Sequence, residues 1–189
     1  MNKKTFAVVL VVGMLLVIGV LSVISYNGMV GKDQTVTQKS SEIKNRYVTK
    51  ISIITQLLQQ QNISLAYESG LLTNITELRT RWMEALDEGQ GDDQLINISD
   101  QLDQNFNNII LSWENYPLLT GTQVIVTLMG EITFQEERLS FARADYNAAV
   151  RDFNTYTKSF PNALFAGMFG YEERKYWGTE LPDGDVLNL

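Results

Sequence analysis

Residues 119–160 read LTGTQVIVTLMGEITFQEERLSFARADYNAAVRDFNTYTKSF. Apolar side chains recur along this stretch at alternating steps of three and four residues, and Gln135 is the polar member of the series. The apolar members are Ile125, Leu128, Ile132, Leu139, Ala142, Tyr146, Ala149, Phe153, Tyr156 and Phe160. Such a heptad seam is typical of coiled coils and predicts one long helix that packs lengthwise against other helices. At a rise of ~1.5 Å per residue this helix would be roughly 60 Å long, and the rest of the chain has to supply its partners.

Charged side chains flank this seam. Glu131, Arg138, Asp145 and Asp152 come directly before seam positions, and Glu136 and Arg143 come directly after them. Because no opposite charges lie three or four residues apart within the stretch, these side chains do not brace their own helix. They are expected to pair with a neighbouring helix and set its register, with a solvated face as the alternative.

The composition excludes several functional classes. The 189 residues carry a net charge of −7 and include neither cysteine nor histidine. Nucleic acid is not an expected partner, because phosphate binding needs a basic face. Catalysis by Ser–His or Cys–His pairs and metal sites built on these residues are also excluded, and no cofactor is predicted. Three prolines and the absence of strand-like alternation predict an all-α fold.

The N-terminus carries a candidate membrane anchor. Nineteen residues without a charge, Phe6 to Ile24, match the ~30 Å core of a bilayer. A cleaved signal peptide is the alternative, although the apolar run exceeds the ~7–15 residues usual for such peptides. A retained single-pass anchor in the cell membrane is favoured. The basic N-terminus is expected to stay in the cytoplasm, which places the rest of the chain outside it, although Lys32 and Lys39 follow the helix closely.

Three further helical stripes precede the long helix. They cover about 36–58, 71–86 and 93–113, and a short helical turn is expected at 162–169. The membrane helix can run without a break into the first of them. The predicted architecture is therefore an N-terminal transmembrane helix followed by an antiparallel bundle of about four helices, with a long C-terminal helix. The expected domains are an anchor at 1–25, a helical bundle at 26–170 and an aromatic and acidic tail at 171–189.

Several residues are candidates for interaction with a partner. Asn147 and Asn154 lie one heptad apart beside the seam, where an amide can hydrogen-bond a neighbouring helix or chain. The tail aromatics Tyr176 and Trp177 either pack on the end of the bundle or anchor a partner, and packing is favoured. The full set of candidate interaction residues is Arg138, Arg143, Tyr146, Asn147, Asn154, Tyr176 and Trp177.

An acidic loop offers a weaker candidate site. Asp87, Glu88, Asp92 and Asp93 could contribute oxygen ligands to calcium, but their spacing differs from the helix–loop–helix calcium pattern. A solvated loop is the favoured interpretation, and no metal site is predicted.

Longer motifs resemble the LemA family. In the C-terminal half they are Glu114-Asn115-Tyr116-Pro117, Ala142-Arg143 with Tyr146-Asn147, Val150 and Phe153-Asn154, then Phe160-Pro161 and Phe169-Gly170-Tyr171. In the N-terminal half, Tyr26-Asn27 and Ile43-Lys44-Asn45-Arg46-Tyr47 resemble family motifs more weakly. Near Lys50 the chain differs from the family motif, because the acidic residue and the proline of that motif are missing here. The resemblance implies a membrane-anchored, all-helical protein of bacteria or their phages, without an established catalytic activity.

The favoured function is therefore a non-enzymatic, membrane-anchored protein that acts as a scaffold, by self-association or by holding a protein partner at the membrane. Membrane lipid and further copies of the chain are the expected partners. The alternative is an extracytoplasmic ligand-sensing bundle that signals through another subunit. An enzyme that relies on carboxylates alone is a third, disfavoured hypothesis.

Overall fold

The computed structural model describes residues 2–60, 70–114 and 123–178, without the side chains of 59, 60, 71, 72, 112–114 and 125. These residues form five α-helices and one 3-10 helix, and no strand occurs among them. The helices are α1 (Lys3–Gln60), α2 (Leu71–Asp87), α3 (Asp92–Glu114), α4 (Gln123–Lys158) and α5 (Asn162–Ala166), with the 3-10 helix at Gly167–Phe169. The predicted all-α bundle with a long N-terminal apolar helix is confirmed.

The chain divides into two compact units. The first unit comprises Met1–Lys39 and Tyr146–Arg174, and the second comprises Ser40–Asp145 and Lys175–Leu189. The expected division into 1–25, 26–170 and 171–189 stays a prediction.

The helix α1 continues through the end of its apolar stretch without a break. Its large apolar side chains between Phe6 and Ile24 are exposed, whereas a core helix of a soluble domain would bury them. By length and composition this part of α1 can cross a membrane.

The second unit is built around a helical hairpin. α2 and α3 pack on each other and are joined by residues 88–91, as the two glycines in this stretch predict. Their predicted bounds, 71–86 and 93–113, agree with the observed ones within one residue. The buried apolar side chains that the hairpin contributes are Ile75, Leu78, Trp82, Ala85, Leu95, Ile98, Leu102, Phe106 and Ile109.

The first unit has its own small apolar core. Met29 of α1 is fully buried against Phe165 and Ala166 of α5, and Tyr156 and Tyr171 pack at the edge. The close approach needs a glycine, because a Cβ at position 28 would lie only 1.9 Å from Tyr156 Oη.

The predicted seam of α4 is confirmed in part. Ile132, Gln135, Leu139, Ala142, Tyr146 and Phe153 are buried as expected. Toward the C-terminus, however, Val150 and Thr157 are buried in place of Ala149 and Tyr156, which are only half-buried. A straight helix has 3.6 rather than 3.5 residues per turn, so a strict heptad pattern drifts away from the buried face.

The ends of the predicted long helix also differ. α4 ends at Lys158. The prediction that Phe160 is the last buried residue of the seam is wrong, because this residue is 83 % exposed. Residues 119–122 and the side chain of Ile125 lie outside the described part of the chain.

Candidate functional site

Charged side chains from three helices of the second unit meet in one place, which we call the ionic cluster. It consists of Tyr47 and Lys50 of α1, Asp103 of α3, and Glu136 and Arg143 of α4. Tyr47 Oη donates a hydrogen bond to Asp103 Oδ2 at 2.7 Å, and Lys50 Nζ donates to Asp103 Oδ1 at 3.2 Å. Arg143 Nη2 donates to both Tyr47 Oη and Asp103 Oδ2, and Lys50 Nζ also donates to Glu136 Oε2. Asp103 is thus the acceptor on which both cations converge.

Aromatic rings surround the ionic cluster. The Tyr47 ring lies 4.8 Å from the Trp82 ring and 6.4 Å from the Trp177 ring, centroid to centroid. Lys50 Nζ lies 4.8 Å from the centroid of Phe106, and only 3 % of the Lys50 side chain is exposed. An unpaired charge on the buried Lys50 would be costly, and the carboxylates of Asp103 and Glu136 pair with it.

The surroundings shift the pKa of two members. Burial and the neighbouring Asp103 raise the pKa of Tyr47 far above its ordinary value, although Arg143 opposes the shift. Tyr47 therefore stays a neutral phenol that can donate to Asp103. Burial alone would lower the pKa of Arg143, but Tyr47 and Asp103 outweigh this effect and raise it.

The contacts of the ionic cluster join three helices to one another. Its two carboxylates already accept hydrogen bonds from Lys50, Arg143 and Tyr47. Across the described residues, no group of three or more Asp or Glu side chains could hold a metal ion. Partly buried ion pairs such as these can fix the register between helices, because the buried charge of Lys50 needs its partners.

Trp177, which follows the last helix, packs inside the second unit. Its indole Nε1–H donates to Ser99 Oγ at 3.0 Å, and Ser99 Oγ in turn donates to the carbonyl of Ile96 at 2.7 Å. The Trp177 ring is fully buried. The structure thus places this predicted interaction residue inside the fold.

Asn154 binds the backbone of Arg174, the last residue of the first unit. Its Nδ2 donates to the carbonyl of Arg174 and its Oδ1 accepts from the Arg174 N–H, both at 2.9 Å. Arg174 Nη2 also donates to Asp33 Oδ1 of α1 at 2.6 Å. The amide therefore binds another segment of its own chain.

The remaining candidates lie in different settings. Tyr146 is fully buried in the first unit, and Asn147 and Tyr176 are half-buried. Arg138 lies on the exposed face of α4, where its guanidinium sits 4.5 Å above the Phe134 ring. Phe134 and Phe141 are exposed on this face as well, by 46 % and 66 % of their surface.

Two acids of the predicted loop contact lysines. Asp92 pairs with Lys44 at 2.8 Å and accepts from Ser40 Oγ at 2.6 Å, while Asp93 pairs with Lys175 at 2.7 Å. Both acids occupy the first turn of α3, where a negative charge also complements the helix dipole.

Sequence reasoning singled out Arg143 but missed Lys50 and Asp103. One signal was available: Lys50 lies three residues after Tyr47 and directly before Ile51, inside an apolar stripe where a lysine requires a buried acid. Nothing local identifies Asp103 as that acid, since it is one of many acidic residues on polar helix faces.

Tyr47 and Arg143 belong to the N-terminal and the C-terminal motifs, respectively, that resemble the LemA family. Comparison with curated proteins finds no match to the chain. A sequence model described as the LemA family matches residues 39–185, which include every member of the ionic cluster. Because this match covers well over half of the sequence, the chain belongs to the LemA family.

Proposed function

We propose that this protein is a non-enzymatic scaffold, anchored in a bacterial or phage-infected bacterial membrane by one transmembrane helix and assembled from copies of itself. Membership of the LemA family and the apolar start of α1 fit a membrane-associated helical protein. The LemA family is not a known enzyme family. The ionic cluster supports a structural role as well, because its charged groups are engaged with one another.

The observation that carries the proposal is a second apolar strip on α4. Phe134 and Phe141 are seven residues apart and therefore lie on the same side of the helix, with Arg138 between them. This strip is additional to the seam that α4 already buries. Fully burying a phenylalanine contributes about 1.5–3 kcal/mol, and because these two rings are already partly covered, the pair would add a part of this to the contact.

A second copy of the chain is the proposed occupant. Copies held in one bilayer by the same helix all face the same way, so a symmetric contact brings equivalent residues together. Each copy then supplies Phe134 and Phe141 to the contact, and the Arg138 guanidinium can remain in water at its edge.

Light scattering of the full-length protein in detergent tests this proposal. The wild type is expected to run as a discrete oligomer, and the double variant Phe134→Ser/Phe141→Ser is expected to shift toward the monomer. Met83→Ser, which removes an exposed apolar side chain from α2, is the matched control and should leave the oligomer intact. A wild-type protein that is monomeric throughout would overturn the proposal.

The proposed orientation places the helical units outside the cytoplasm. Lys3 and Lys4 precede the apolar stretch, and positive charge at this end of the helix favours its retention in the cytoplasm.

A further inference from the structure

A second exposed apolar surface lies in the first unit, at residues 160–169. Phe160, Leu164 and Met168 are spaced by four residues and expose 83 %, 63 % and 78 % of their surface. Leu164 lies on the exposed face of α5, Met168 follows it in the 3-10 helix, and Phe160 precedes α5, directly before Pro161. The opposite face is already used, since Phe165 and Ala166 are buried against Met29 of α1.

Hydrogen bonds and ring contacts fix where this surface lies along α1. Ser25 Oγ donates to Asn162 Oδ1 at 2.7 Å, and Asn162 Nδ2 donates to the Tyr156 carbonyl at 3.1 Å. The Tyr26 ring meets the Phe169 ring edge-on, with 5.1 Å between centroids. Ser25 and Tyr26 directly follow Ile24, the last residue of the uncharged stretch.

The exposed apolar surface lies in an uncharged segment of the chain. Residues 159–171 carry no charge, and the segment is flanked by Lys158 and Glu172. Along α1, the ion pair between Asp33 and Arg174 lies roughly 12–14 Å beyond Ile24, at ~1.5 Å per residue. Through its contacts with Ser25 and Tyr26 the apolar surface lies beside the part of α1 between the end of the anchor and the first charged level of this helix, Lys32 and Asp33. A bilayer has its interfacial layer at this depth, about 5–8 Å thick on each side.

We propose that Phe160, Leu164 and Met168 insert into the interface of the bilayer that α1 crosses. The inference rests on the proposed function, in that α1 must be a membrane anchor. α5 and the 3-10 helix then lie in the membrane surface, as amphipathic interfacial segments do. Tyr26, whose ring meets that of Phe169, then occupies the level at which tyrosine and tryptophan rings collect in membrane proteins.

Quenching of site-specific fluorophores tests the inference on the full-length protein. The chain contains no cysteine, so single-cysteine variants carry one label each. Leu164→Cys and Met168→Cys report on the proposed surface, Val17→Cys reports on the anchor, and Gln38→Cys is an exposed control on α1 beyond the first charged level. Each labelled protein is reconstituted into vesicles of phosphatidylethanolamine and phosphatidylglycerol in equal parts and is quenched by nitroxide-bearing lipid or by aqueous iodide.

The labels at 164 and 168 are expected to resemble the label at 17. Lipid nitroxide should quench them several-fold more than the label at 38, and iodide should quench them several-fold less. If the label at 17 is in lipid while those at 164 and 168 are quenched by iodide, the interfacial inference is wrong and the anchor stands. Protection of 164 and 168 from both quenchers would show a protein contact, such as a second copy, and would also overturn the inference. If iodide reaches the label at 17, the anchor itself fails.

Discussion

Asp103 accepts hydrogen bonds from a tyrosine, a lysine and an arginine, so its charge is the one on which the ionic cluster depends. Asp103→Asn keeps the size of the side chain but leaves Lys50 and Arg143 with Glu136 as the carboxylate of the cluster. Breaking a buried ion pair by removing one partner costs about 3–5 kcal/mol, and we expect a loss near the lower end because Asp103 is partly exposed.

Urea unfolding followed by tryptophan fluorescence measures this loss, since the buried Trp82 and Trp177 rings lie against Tyr47. Lys158→Met is the matched control. It breaks the exposed pair of Lys158 with Glu173, for which about 0–1 kcal/mol is expected. Equal effects of the two variants would contradict a structural role for the ionic cluster.

Tyr47 makes the stability of the second unit dependent on pH at the alkaline end. Its pKa in the folded state is raised above the ordinary value of about 10, so the folded protein binds the phenolic proton more tightly than the unfolded chain. The stabilisation is complete below pH of about 10 and is lost as the pH rises toward the folded-state pKa, by up to about 1.36 kcal/mol per pH unit.

Comparison with Tyr47→Phe isolates this contribution, because phenylalanine does not titrate. The difference in unfolding free energy between wild type and variant should stay constant below pH of about 10 and change in favour of the variant above it. A difference that stays constant across the alkaline range would show that Tyr47 titrates normally.

At the scale of the helix, two glycines of α1 lie in opposite environments. A Cβ at Gly28 would overlap the Tyr156 hydroxyl, whereas nothing lies within 4 Å of a Cβ at Gly31. Gly31→Ala should therefore stabilise the protein by up to about 1 kcal/mol, through helix propensity alone. Gly28→Ala should destabilise it by about 1–2 kcal/mol, because the Tyr156 ring must leave its place.

Thermal unfolding of both variants checks this pair. The double variant Gly28→Ala/Tyr156→Ala removes the overlapping ring and should recover part of the loss. If Gly28→Ala behaves like Gly31→Ala, Tyr156 does not pack on α1 as described.

How far the sequence predicts each element depends on the range of the interactions involved. The bounds of α2 and α3 follow from their own periodicity and from the glycines between them, so they are predicted closely. The seam of α4 is predicted well near Leu139 but slips by one residue after Tyr146, because a heptad pattern repeats every 3.5 residues whereas an α-helix has 3.6 residues per turn. The pairing of Arg143 with Asp103 joins residues forty positions apart, and only packing of the helices brings it about.

At the scale of the whole molecule, α1 is the element on which the proposed function depends. Its apolar start is exposed and continues into the rest of α1 without a break, as the proposed anchor requires. The two exposed surfaces, Phe134 with Phe141 and Phe160 with Leu164 and Met168, then have separate proposed partners. Another copy of the chain is the proposed partner of the first surface, and lipid is the proposed partner of the second.

The proposed orientation of the protein in the membrane rests on the charges that flank its apolar stretch. Positive charge acts most strongly in short segments near a membrane helix, while long domains are translocated largely regardless of charge. In the proposed orientation Lys3 and Lys4 outweigh Lys32 and Lys39, since the latter begin a segment of more than a hundred residues. In intact spheroplasts, a membrane-impermeant maleimide should label Gln38→Cys, whereas Asn2→Cys should react only after permeabilisation. The reverse pattern would place the helical units in the cytoplasm. If both sites are labelled before permeabilisation, α1 does not cross the membrane.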